Sequence, residues 1–187
     1  MPTRLKGRTS LGGSRLVEGA DVTPNSAVTI TMNKMQRPPK VIELTLTDVV
    51  VSLSAANDYG SVKLCDLPNK ALRIMAAQVA LTGVVAGMAS NVGTAVTSAV
   101  GTIATTTTNF ATAGEKSIVP TITGTGGGTT ATLAGASTST EASATIAAGA
   151  SNAIYLNLAD AVTSGTGTIT LNGTVRLTIL DVDSLPG

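Results

Sequence analysis

Between Thr168 and Leu180 polar and apolar residues alternate. Ile169, Leu171, Val175, Leu177 and Ile179 share one parity, while Thr168, Thr170, Asn172, Thr174, Arg176 and Thr178 share the other. A period of two places each set on its own face of a β-strand, whereas a helix would scatter both around its circumference. Asn172-Gly173 is also a hairpin signal. The parity nevertheless runs through Gly173, so the favoured expectation is one long strand with this glycine facing inward.

The same period recurs upstream. Val28–Met32 is a first short strand, and in Val41–Ser54 the residues Ile42, Leu44 and Leu46 alternate with Glu43, Thr45 and Thr47. Asn57-Asp58-Tyr59-Gly60 marks a turn before the strand Ser61–Leu67. Ala71–Leu81 alternates less cleanly. Ile118–Thr123 contains Pro120, which suits an edge, and Gly124–Thr130 reads as a flexible loop. Thr130–Leu133, Ala142–Ile146 and Ile154–Ala159 are short strand candidates. Val92–Ala113 fits either two β-segments or one weak helix, although Thr105–Thr108 and the internal glycines argue against the helix. Eight to ten strands with irregular loops imply an all-β sandwich or barrel. The expected organisation is an extended arm over 1–27 followed by a single β-domain over 28–187.

Composition narrows the chemistry. The 187 residues include one Cys, no His and no Trp, and 12% are charged. Without His the chain lacks the commonest general base and the commonest transition-metal ligand. One Cys allows no internal disulfide, and Cys65, within VKLCDL, reads as a small core residue. Ser61 and Lys63 share a parity, but nothing completes a nucleophile's site around them, so they read as surface features. Ser117 follows Lys116, and neighbours on a strand point to opposite faces. Asp181 and Asp183 share a face, a spacing that suits Ca²⁺ or acid–base work, yet beside the C-terminal Pro-Gly they read as a solvated tail. Gly124-x-Gly126-Gly127-Gly128 lacks the Lys of a phosphate loop. The expectation is a structural protein, not an enzyme, with no metal and no cofactor.

The net charge of +1 hides an asymmetry. Residues 1–40 hold seven basic side chains against Glu18 and Asp21, while from Val41 onward five basic face nine acidic. A basic leader of this kind suits an acidic partner surface, and Arg4, Lys6, Arg8 and Arg15 are the candidate contact residues. With no aromatics interleaved they form no stacking platform for bases, so no direct nucleic-acid contact is expected. Met1–Arg15 shows no secretory signal; its Arg- and Ser-rich look also fits a transit peptide, which the glycines disfavour. The uncharged run between Arg73 and Glu115 is mostly Ala, Gly and Val, better suited to strands with Thr and Ser outward than to a membrane span.

The order of features resembles the small capsid decoration, or cement, proteins of tailed bacteriophages. The resemblance lies in an apolar strand near 71–84, VGTAV at 92–96, EKSIVPTITG at 115–124, AIYLNLADA at 153–161 and GTITLNGTVRLTIL at 167–180. It covers roughly residues 60–182 as pattern and composition, and transfers no individual functional residue. It implies a jelly-roll-like β-sandwich that forms a homotrimer on the outer surface of the virion head, clamping neighbouring major capsid protein subunits, with no membrane partner. The alternative within the same class is a head-fibre, tail-associated or other minor virion protein with a receptor- or partner-binding sandwich.

Overall fold

In a computed structural model the C-terminal alternation is a single strand, Gly167–Asp181, and its five apolar residues are completely buried. The structure describes residues 23–24, 27–32, 39–53, 59–86, 96–127, 129–137, 145–146, 152–160 and 167–181. Among these are twelve strands. In chain order they are β1 (Thr23–Pro24), β2 (Val28–Met32), β3 (Lys40–Leu53), β4 (Tyr59–Asp66), β5 (Leu72–Ala86) and β6 (Val96–Gly101). A 3-10 turn (Ala113–Lys116) precedes β7 (Val119–Thr123), β8 (Thr125–Gly127), β9 (Thr130–Ser137), β10 (Thr145–Ile146), β11 (Ala153–Asp160) and β12 (Gly167–Asp181).

The strands form two antiparallel sheets. The smaller has the order β1-β4-β11-β6-β7, the larger β2-β3-β12-β5-β9-β8, with β10 also pairing with β5. The inward faces meet in one apolar core. Leu44, Val79, Leu133 and Leu177 of the larger sheet belong to the same buried cluster as Leu64, Val100 and Leu156 of the smaller. Fully burying one such side chain contributes about 1.5–3 kcal/mol, which is why the period of two dictates register: a slip of one residue would turn a whole inward set to solvent. The result is all-β and compatible with a β-sandwich.

Several expectations need correcting. Gly124–Thr130 is not a loop, because Thr125–Gly127 pairs with Thr130–Thr132 in a tight antiparallel turn. β5 continues to Ala86, five residues beyond the expected end, and twelve strands replace eight to ten. Within Val92–Ala113 one strand, β6, is followed by an irregular segment ending in the 3-10 turn, so neither expected alternative holds for its second half. Thr23–Pro24, inside the stretch read as an arm, already pairs with β4. Pro120 does lie on a strand at the edge of its sheet. Among the described residues no helix is long and apolar enough to cross a membrane.

Cys65 faces the core on β4 and is fully buried. Burial, with the Asp66 carboxylate beside it, pushes its thiol up to about 12. The thiolate is the reactive form, so the folded chain is expected to resist a maleimide at neutral pH and to react fully in denaturant. Mass spectrometry of the adducts checks this.

Candidate functional site

The polar groups with most to say lie on the outward face of the smaller sheet, beneath the segment 102–117. On β11, Leu156 and Leu158 point into the core, so Tyr155, Asn157 and Ala159 point the other way. A face with this parity would ordinarily meet water, yet Asn157 and Ala159 are buried. The segment 102–117 covers them. Phe110, at φ 49°, packs its ring against Ala99 and Ala159, with Tyr59 at the margin. Burying that ring accounts for an aromatic residue in a left-handed backbone that L side chains disfavour.

Asn157 joins this cover to the sheet. Its Oδ1 accepts from Ser61 Oγ at 2.7 Å and from the Thr105 amide at 3.0 Å. Its Nδ2 donates to the carbonyls of Ile103 at 3.0 Å and Glu115 at 2.6 Å. Ser61 Oγ also accepts from the Thr105 amide at 2.9 Å. Ser61 is therefore half-buried in a structural network, correcting its reading as a surface residue, while Lys63 Nζ donates to Asp66 Oδ2 at 2.8 Å. The two do not meet.

Glu115 is the second anchor, and it is completely buried. Thr112 and Glu115 sit at the N-cap and N3 positions of a capping box on the 3-10 turn. Oε1 accepts the Thr106 amide at 2.7 Å and the Thr106 hydroxyl at 3.2 Å, and Oε2 accepts the Thr112 amide at 2.8 Å. Burial by itself would raise this carboxyl, but the amides and hydroxyls of Thr106 and Thr112 outweigh it and hold the group below the ordinary glutamate value. A carboxylate committed to these donors fastens a loop. Gly101 permits the close fit, since a Cβ there would overlap the Gly114 carbonyl and the Glu115 backbone.

Sequence reasoning overlooked Glu115, although two signals were present. Thr112-Ala113-Gly114-Glu115 has the spacing of a capping box, and Glu115 is the only carboxylate between Asp66 and Glu141. Ser117 Oγ donates to the Gly114 carbonyl at 3.3 Å. Asp181 is corrected as well. It is buried at the end of β12 with Lys70 Nζ 4.0 Å away, while Asp183 lies outside the described residues. Among the described residues no group of three His, Cys, Asp or Glu is placed to hold a metal ion.

The outward face of the larger sheet differs from that of the smaller, for no described loop covers it. Val50 and Val84 are 57% and 52% exposed. Beside them a bulge sets Thr47 and Asp48 opposite Asn172. Asp48 takes φ 51°, its amide donates to Asn172 Oδ1 at 2.9 Å, and Asn172 Nδ2 donates back to Asp48 Oδ1 at 3.1 Å. An open depression of about 460 Å³ adjoins the bulge, lined by Ala80, Thr82, Thr132, Ala134, Asn172 and Gly173. The expected partner contacts Arg4, Lys6, Arg8 and Arg15 lie outside the described residues, which begin at Thr23 on the margin of the smaller sheet. Compared with models of protein families, with curated proteins and with solved structures, the chain matches none.

Proposed function

We propose that this chain is a structural virion protein that decorates a phage head, self-associating, as a trimer, on the outer surface and clamping neighbouring major capsid subunits. The observation that carries the reading is strand order. Take the eight strands β3, β4, β5, β6, β7, β9, β11 and β12 as first to eighth. The larger sheet then runs first-eighth-third-sixth and the smaller second-seventh-fourth-fifth. That interleaving supports a reading as two nested Greek keys of a jelly roll, an architecture used by viral capsid and lectin domains. Fold alone does not assign function, and two further features support the reading. The body is poor in charge, and its basic residues gather in a leader suited to an acidic lattice surface. Repetition of that contact over a lattice gives tight attachment from weak individual contacts.

The deciding experiment is the copy number of this chain in purified particles, measured against the major capsid protein by quantitative mass spectrometry. A near-stoichiometric ratio supports a lattice-covering protein. A few copies per particle would favour the fibre or tail alternative, and complete absence overturns the virion reading. A second prediction concerns the leader. Replacing Arg4, Lys6, Arg8 and Arg15 with Glu is expected to leave the β-domain folded and weaken head attachment. Four exposed ion pairs at about 0.5 kcal/mol each make about 2 kcal/mol, roughly a thirtyfold loss. Wild-type binding should fall as salt rises. Unchanged occupancy, read by sedimentation with heads, would sink the role of the leader.

A further inference from the structure

We propose that the outward face of the larger sheet is buried against a second copy of this chain. The register of four strands makes it a regular grid. Val50 on β3 is opposite Thr170 on β12, Thr170 is opposite Val84 on β5, and Val84 is opposite Thr130 on β9. The next outward row places Asn172 beside Thr82, and Thr82 beside Thr132. From Thr45 to Ser52, Ala80 to Ala86, Thr130 to Ala134 and Thr168 to Thr174, Asp48 is the only charged side chain on this face. It is held by Asn172. One row further along, Arg176 pairs with Glu43.

Three physical quantities point to a protein partner, and to this chain in particular. The first is area. Four strands about 4.8 Å apart, each contributing about seven residues of about 3.3 Å, make a face of roughly 440 Å², the share one partner supplies in a small, weak interface. The second is ordering cost. Thr, Val and Ala lose far less side-chain freedom on burial than the Lys and Glu that usually coat an exposed sheet, and interface cores are likewise depleted of Lys and Glu. The third is charge. A strongly charged partner would lose solvation here without gaining a counter-ion. With 12% charged residues overall, a second copy can cover the face without stranding charges. The depression beside Asn172 and Gly173 gives an apolar side chain of that copy a seat.

This assignment rests on the self-association in the reading above and names its surface. The test is sedimentation equilibrium of the full chain up to high micromolar concentration, for wild type, Val84→Arg and Thr170→Arg, with circular dichroism to verify folding. The expected result is a wild-type oligomer and at least about thirtyfold weaker association in either Arg variant. The double variant Val50→Thr/Val84→Thr keeps the side-chain shape and guards against misfolding; it should associate several-fold more weakly than wild type. A wild-type monomer throughout this range overturns the assignment and the self-association together. A wild-type oligomer that every folded variant reproduces overturns the face alone. Capsid attachment is scored separately on heads, so the decoration role stands or falls independently.

Discussion

Glu115→Ala is expected to lower the unfolding free energy by about 3 kcal/mol, because it strands buried donors that water cannot reach. The Thr106 and Thr112 amides both point at this carboxylate, and the segment they belong to covers Asn157, Ala99 and Ala159. Urea denaturation gives the magnitude, and hydrogen exchange at the Thr106 and Thr112 amides gives the location. Glu115→Gln keeps one acceptor oxygen and should recover roughly half of the loss. A change below about 0.5 kcal/mol in the Ala variant would show that the segment is held by Phe110 and Asn157 instead. The same site predicts a pH dependence. The folded carboxyl lies below its ordinary value of 4.5, so its contribution to stability is complete above that value. It is lost as pH falls below it and on through the lower folded value, since there the unfolded chain binds the proton more readily. Glu115→Gln should flatten this acid limb, a comparison that separates Glu115 from the chain's other carboxylates.

Gly173→Ala is expected to cost about 4 kcal/mol or more, enough to threaten folding of a domain of this size. Gly173 takes φ +133°, and an added Cβ would overlap the Ala80 carbonyl and approach Leu81 Cα to 3.0 Å. Both obstacles are backbone, and both belong to β5, which pairs with β12 along nearly its whole length. β12 lies between β3 and β5 in the middle of the larger sheet, so it has no free edge toward which to yield. Thr174→Ala, on the adjacent outward position, should stay within about 0.5 kcal/mol of wild type. Thermal melting of the two variants makes the comparison, and a Gly173→Ala protein that melts within a few degrees of wild type would show that this backbone can relax.

Gly173 also shows how far the sequence can be read. The parity on either side of Asn172-Gly173 was enough to favour one strand over a hairpin, because inward residues must keep their register to be buried together. What parity could not reveal is the bulge opposite. Thr47 and Asp48 share one partner position on β12, and that mismatch depends on strands more than a hundred residues apart in the chain. The short strand Thr125–Gly127 was missed for a related reason. Glycines carry no side-chain pattern, and only pairing with β9 gives that stretch its structure.

The sequence by itself determined the all-β class, the inward sets on β3 and β12, the edge position of Pro120 and the burial of Cys65. Each follows from local composition and a period of two, which act within a few residues. Only the tertiary structure decided that Asn157 and Glu115 are anchors. Asn157 sits on the outward parity of its strand and reads as exposed, until the segment 102–117 folds over it and supplies partners for both its amide atoms. Tertiary structure likewise decided that this outward face is covered by the chain's own loop while the grid of Thr and Val on the larger sheet is left open by the described chain. Sequence pattern tells which face of a strand is apolar; what lies over the other face depends on contacts between segments far apart in the chain.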